Sequence, residues 1–251
     1  MAYDGGVFAG WQSQPGRGTV QDTIGAAFYE TTGLTVSIHG AGRTDSGVHA
    51  LGQCFHVDTA GTSLRPSDWV RALNARLPSS VRILSARQVP EDFHARFSAV
   101  GKHYRYLLRT REVLPPHEAG RVWHFPRRLD EDLAKRVAGM FQGTHNFAAF
   151  AANRGQPYHD TSRTLTGVTV KHRGTLWQVD MVGTGFLYKM VRLLVGAIFR
   201  CASGRCPPEL VEASLRDPTI KWPHVAPADG LYLMRVIYPG ISGPHYRDDI
   251  R

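Results

Sequence analysis

The sequence predicts an α/β protein built in two parts, and three features of its 251 residues carry that expectation. Amphipathic helical stripes and short strand patterns follow one another along the whole chain. A mixed aromatic and basic stretch ending at Gly101 separates two runs of such elements, so the join falls near 98–101, with an N-terminal domain over 1–101 and a C-terminal domain over 102–251. Finally, 42% hydrophobic against 20% charged residues is enough apolar material to bury a real core.

In the first part, Thr19 reads as a helix N-cap with Asp22 three residues on. Val20, Ile24, Ala27 and Phe28 form one stripe that Gly33 ends. Leu34, Val36 and Ile38 alternate with Thr35, Ser37 and His39, which predicts a strand, and Phe55 and Val57 mark another. Pro66 suits the first turn of a helix through Trp69, Val70, Leu73 and Leu77, and Val81 with Ile83 begins a further strand. In the second part, 102–109 reads as a strand with Tyr104, Tyr106 and Leu108 on one face and His103, Arg105 and Arg109 on the other. A helix from Asp130 and Asp132 through Met140 follows. The segments 143–147 and 153–163 read as exposed polar connections. Trp177, Val179 and Met181 alternate as a strand, which leads into a helix expected over Phe186–Arg192. Leu231, Leu233, Val236 and Ile237 close the chain's last strand.

Composition also excludes classes. The apolar run Leu193–Phe199 is far shorter than the roughly 20 residues of a membrane span, and nothing at the N-terminus has a signal pattern. A cytoplasmic protein without membrane attachment is expected. Cys54, Cys201 and Cys206 lack metal-ligand spacing and cannot all pair, so neither a disulfide scaffold nor a structural zinc is expected. The net charge of +9 comes from five lysines and 25 arginines against 21 acidic residues. Arginine's planar fork matches phosphate, so this balance suits a nucleic-acid partner; a genome that favours arginine codons is the blander account.

One stretch stands apart from core-building. Gly40–Gln53 packs four glycines with Arg43, Asp45 and His49, a composition suited to a tight polar loop that holds reactive groups at a surface. A solvated turn closed by an Arg43–Asp45 ion pair is its plain structural reading. A metal-dependent hydrolase using His39, Asp45 and His49 lacks a third ligand at a persuasive spacing. Gly183-Thr184-Gly185 precedes a helix, but Tyr188 occupies the third glycine position of a dinucleotide fingerprint, so that reading is rejected. A non-catalytic RNA-binding protein accounts for the charge and the aromatics, though not for Asp45 in so constrained a loop.

Four motifs in one order carry the inference further: Tyr3-Asp4-Gly5 with Trp11-Gln12 and Gln14-Pro15, Gly42-Arg43-Thr44-Asp45-Ser46-Gly47-Val48-His49-Ala50, Phe93-His94-Ala95-Arg96-Phe97-Ser98-Ala99, and Gly185-Phe186-Leu187-Tyr188-Lys189-Met190-Val191-Arg192. Together they resemble the TruA family of tRNA pseudouridine synthases over nearly the whole chain. Ser46 departs from the family's usual alanine, and the strand expected before Tyr3 is almost missing.

The resemblance implies an α+β pseudouridine synthase fold, with two domains whose largely antiparallel sheets are backed by helices and a basic cleft between them. It implies a cofactor-free and metal-free isomerase that forms pseudouridine at positions 38, 39 and 40 of the tRNA anticodon arm and works as a homodimer. In that scheme Asp45 is the nucleophile, Tyr104 stacks on the target base, Arg192 pairs with Asp45, and Arg43 fills the space of the extruded nucleotide. His94, Arg96 and Lys189 are further candidates for RNA contact.

Overall fold

The computed structural model describes residues 1–16, 18–59, 62–152, 155 and 159–240. Part of the connection expected over 153–163 lies outside the described residues. In chain order the elements are β1 (Ala2–Tyr3), α1 (Val20–Thr32), β2 (His39–Gly40), β3 (His49–Ala50), β4 (Phe55–His56), α2 (Pro66–Asn74), β5 (Val81–Arg82), β6 (Gly101–Arg109), β7 (Trp123–His124), α3 (Glu131–Met140), β8 (Gly143–Asn146), β9 (Ser162–Arg173), β10 (Leu176–Gly183), α4 (Met190–Ala202), α5 (Pro208–Arg216) and β11 (Leu231–Ile237). The protein is a mixed α and β structure with mostly antiparallel strand pairing. Two compact units form, one from Met1–Val100 together with the chain from Tyr232 on, the other from Gly101–Leu231. The sequence predicts a second domain running to 251. In the structure, the C-terminal strand instead groups with the first unit, because Tyr232 and Leu233 pair in parallel with His49 and Ala50.

In the first unit β1 lies between β5 and β3, antiparallel to both, and β2 and β4 form a separate two-stranded ribbon. The local signals of α1 behave as expected. Thr19 Oγ1 accepts the Asp22 N–H at 3.2 Å and donates to Asp22 Oδ2 at 2.6 Å, while Gly33 ends the helix in the left-handed conformation. Pro66 opens α2, and Phe28 of α1 meets Trp69 of α2 with ring centroids 5.1 Å apart. Alternation over 34–38 does not produce a strand. Only His39 and Gly40 find pairing partners, and Leu34 remains exposed.

In the second unit β6, β10, β9 and β8 pair antiparallel in that order, and β7 adds to β6 in parallel. The 143–147 connection is corrected: 143–146 pairs residue for residue with β9, and Phe147 is wholly buried. Helix α4 is apolar on nearly all sides, and its Phe199 meets Trp177 and Trp123 edge-on at 5.9 and 6.2 Å.

The polar face expected on β6 is paired, with Arg105 buried and His103 and Arg109 half-buried. Asp180 of β10 takes hydrogen bonds from His103 Nε2 at 2.7 Å and Arg105 Nε at 2.9 Å, and also accepts from Gln178. Burial pushes the Asp180 carboxyl up, but these donors and the Arg105 charge outweigh it and hold the pKa below the ordinary value. A folded pKa below the unfolded one gives stability that is present above the unfolded carboxyl's pKa and is lost as pH falls through the folded value. Asp180→Asn is therefore expected to cost about 2 kcal/mol at pH 7. The gap to wild type should begin to narrow below about pH 4, the ordinary carboxylate range, and shrink further as pH falls toward the lowered folded value. Thermal melts of both proteins at pH 7 and pH 3 check this, and an equal gap at both pH values contradicts it.

Candidate active site

Asp45 sits at the head of a turn in which the Val48 N–H returns to the Asp45 carbonyl at 3.2 Å. The third residue of that turn, Gly47, has φ 81°, a backbone conformation that glycine adopts without steric cost. The loop around it is held by the chain's N-terminal segment. The Trp11 N–H donates to the Thr44 carbonyl at 3.1 Å, Tyr3 Oη and Thr44 Oγ1 share a hydrogen bond of 2.8 Å, and Ser46 Oγ donates to the Phe8 carbonyl at 3.2 Å. Gln53 Nε2 fixes the Gly42 carbonyl at 3.0 Å from the other side. Burial pushes the Tyr3 hydroxyl up to about 12, so it stays protonated and keeps its bond to Thr44 over the physiological range. Ser46 thus has its own role in closing the loop.

Within this frame the Asp45 side chain is half-buried and Arg43 is exposed. Arg43 Nε donates to Gln12 Oε1 at 3.0 Å, Gln12 Nε2 donates to Gln21 Oε1 at 2.7 Å, and Gln21 Nε2 reaches the Ile38 carbonyl at 2.9 Å. This glutamine relay links Arg43 to helix α1, and nothing in the sequence marks Gln21 as a member of it. A glutamine in the first turn of an amphipathic helix reads as surface, and only the three-dimensional arrangement reveals its partners. His49 has a structural position: it is buried, stacked on Tyr232 at 4.7 Å, and its Nδ1 accepts the Gly5 N–H at 3.0 Å.

The stretch from Phe93 to Ala99 holds a turn closed by the Ser98 N–H on the His94 carbonyl at 2.9 Å and anchored at Ala95, which is buried and whose carbonyl accepts from Tyr238 Oη at 2.6 Å. His94 is half-buried, and its Nδ1 accepts the Arg96 and Phe97 N–H groups at 3.0 and 3.3 Å. Arg96 is exposed, with its guanidinium 5.5 Å from the centre of the Phe97 ring, which is 74% exposed.

In the second unit, Tyr104 is a buried residue of β6 that meets Phe186 edge-on at 4.9 Å. The helix expected from Phe186 starts only at Met190. Lys189 adopts a left-handed conformation at φ 58°, the one non-glycine residue to do so among the described residues. Such a conformation costs about 1–3 kcal/mol and clusters at sites where geometry outranks stability. It turns the 186–189 segment out of the helical path. Lys189 Nζ lies 5.2 Å from the centre of the Tyr188 ring. Arg192, in the first turn of α4, is tied to the 226 backbone twice: its Nε donates to the Ala226 carbonyl at 2.7 Å, and its carbonyl accepts the Ala226 N–H at 3.0 Å. Arg192 and Asp229 both act on buried Tyr106, which burial holds well above the ordinary phenol value.

Asp45, Arg43, His94 and Arg96 thus belong to the first unit, and Tyr104, Lys189 and Arg192 to the second. A half-buried carboxylate at the head of a clamped turn has the chemistry to act as a nucleophile or base. Residues 1–98 and 137–239 match the family described as tRNA pseudouridine synthase, and the chain belongs to that family. It is 49% identical to the tRNA pseudouridine synthase A of Akkermansia muciniphila, over 95% of this chain and 93% of that protein. It is 41% identical to the tRNA pseudouridine synthase A of Methylacidiphilum infernorum, over 95% and 94% of the two chains. Among solved structures it is distantly similar to a chain from a Cbf5–Nop10–Gar1 complex, with a TM-score of 0.44 and 14% identity over 92% of this chain and 50% of that one.

Proposed function

We propose that the protein isomerises uridine to pseudouridine at positions 38, 39 and 40 in the anticodon arm of tRNA, with Asp45 as the nucleophile. The observation that carries this reading is Asp45 itself, a half-buried carboxylate at the head of a glycine turn that five hydrogen bonds hold in shape, in a chain of the pseudouridine synthase family. The reaction breaks the bond from the ribose anomeric carbon to uracil N1 and forms one to C5. The C5 proton leaves, N1 gains a proton, and no electrons are exchanged, so an attacking and departing carboxylate suffices.

In this reading Tyr104 stacks on the target base, and Arg192 is the cation that keeps the nucleophile ionised. Arg43 occupies the place of the extruded nucleotide, since a base inside a stem cannot be reached otherwise. His94, Arg96 and Lys189 contact the RNA. The N-terminal unit with Asp45 and the C-terminal unit with Tyr104 and Arg192 are the two domains of the enzyme, which acts in the cytoplasm as a homodimer. A solution mass of one 27.8 kDa chain at micromolar concentration would contradict the dimer.

The test is mass-spectrometric detection of pseudouridine on unmodified tRNA incubated with the purified protein. Retention of uridine at all three positions would sink the proposal. Binding supplies a second expectation. The arginine-rich surface should make tRNA affinity fall by orders of magnitude between low and physiological salt, and Arg43→Ala should weaken binding by about tenfold. Filter binding across a salt series measures both, and a flat series contradicts the phosphate-contact reading.

A further inference from the structure

Three imidazoles from separate stretches of the first unit meet in one cluster. A ring nitrogen of each of His39, His56 and His94 lies within 4.8 Å of those of the other two. His39 of β2 and His56 of β4 stack at 4.8 Å with 15° between their planes, and His94 meets His56 edge-on at 4.6 Å. His39 is exposed and the other two are half-buried.

Three histidines at this spacing suggest a metal, but their hydrogen bonds argue against one. A metal-bound imidazole ligates through one nitrogen and donates a proton from the other. Here the second nitrogen accepts. His56 Nδ1 takes the Ala95 N–H at 3.1 Å, and His94 Nδ1 takes the N–H groups of Arg96 and Phe97. A neutral imidazole that accepts at Nδ1 carries its proton at Nε2. The remaining nitrogens of His56 and His94 are therefore N–H donors with no lone pair to offer a cation. Burial, and then the rings of His94 and His39, hold His56 below the ordinary imidazole pKa, which disfavours an added positive charge on that ring.

Clustered donors that repel added positive charge are suited to an anion. We propose that His39, His56 and His94 form a phosphate-binding site, in which the Nε2–H groups of His56 and His94 donate to phosphate oxygens and the exposed His39 ring completes the set. Beside it, Phe97 lies 4.4 Å from the His94 ring with Arg96 over its face, so an exposed aromatic surface and a cation flank the donors. That combination matches a nucleotide, with the phosphate on the imidazoles and a base against Phe97. Resting on the RNA reading above, the ligand is a backbone phosphodiester of the substrate tRNA.

Histidine-selective ¹⁵N NMR on the full chain reads the tautomers directly. The expected result is Nε2–H at His56 and His94, with site-specific shifts of all three rings on titration with inorganic phosphate. Nδ1–H tautomers would overturn the proposal, as would one equivalent of Zn²⁺ saturating the three rings while phosphate moves none. His39→Leu, at an exposed position, should abolish the phosphate response and raise the tRNA Kd about fivefold. If the phosphate response is lost but tRNA affinity stays at the wild-type value, the site binds free phosphate and its assignment to RNA falls. None of these readouts uses pseudouridine formation, so a wild-type protein that makes no product refutes the isomerase reading separately.

Discussion

Asp45→Asn is expected to lower single-turnover pseudouridine formation by about four orders of magnitude or more, the scale on which loss of a catalytic nucleophile acts. The fold should survive. Asparagine has the same size, and the turn is set by backbone and neighbouring side chains, namely the Val48 N–H on the Asp45 carbonyl and the contacts of Trp11, Tyr3 and Ser46 around it. Binding of tRNA should be equal or tighter, because the change removes a negative charge from an RNA-facing surface. The same clamp makes a second variant informative. Asp45→Glu keeps the carboxylate but carries it about 1.5 Å further from the backbone, and a rigid turn cannot retreat to compensate. A loss of about 100-fold follows from misplacement on that scale. Pseudouridine formed per enzyme, measured with tRNA binding on folded variants, decides the matter, and near-normal turnover in Asp45→Asn would remove the nucleophile assignment.

Elements whose signals are local were legible in the sequence. Thr19 and Gly33 bracket α1 because a cap needs only residues three or four apart, and Pro66 opens α2 for the same reason. Alternation over β10 reads correctly because one face packs inward along its whole length. Elements set by distant partners were not legible. Residues 143–146, with glycine, threonine, histidine and asparagine, carry weak strand propensity and form β8 only because β9 offers a register. Residues 34–38 alternate and stay irregular because only His39 and Gly40 pair, with β4. The start of α4 at Met190 depends on one left-handed residue, Lys189, which no helical pattern announces.

The site divides in the same way. The chemistry proposed for it is suggested by the loop 40–53, since a run of glycines with Arg43 and Asp45 has no use in a core. What makes that loop rigid comes from Tyr3, Phe8 and Trp11, 33 to 41 residues before the loop residues they hold, and from Gln12 and Gln21 through Arg43. The three-histidine grouping is invisible in one dimension, because positions 39, 56 and 94 share no spacing that a ligand motif would require.

Gly5→Ala tests whether that distant clamp positions the turn. An added Cβ at Gly5 would stand 2.0 Å from the Val48 carbonyl oxygen, 2.3 Å from its carbon and 2.9 Å from the His49 nitrogen. All three are backbone atoms, so no rotamer change relieves the overlap, and either the N-terminal segment or the loop between Asp45 and His49 must shift. The Gly5 N–H bond to His49 Nδ1 at 3.0 Å would be strained by the same movement. Overpacking of this kind costs about 3 kcal/mol, which corresponds to a drop of roughly 10 °C in melting temperature for a chain of this size. A displacement of about 1 Å at the Asp45 turn should also reduce the single-turnover rate about 100-fold below the melting transition. Gly139→Ala is the matched control. Gly139 lies in α3 with nothing within 4 Å of an added Cβ, so the variant should gain about 1 kcal/mol and keep its rate. Should Gly5→Ala melt and turn over like wild type, the N-terminal segment would be a neighbour of the loop rather than the element that holds Asp45 in place.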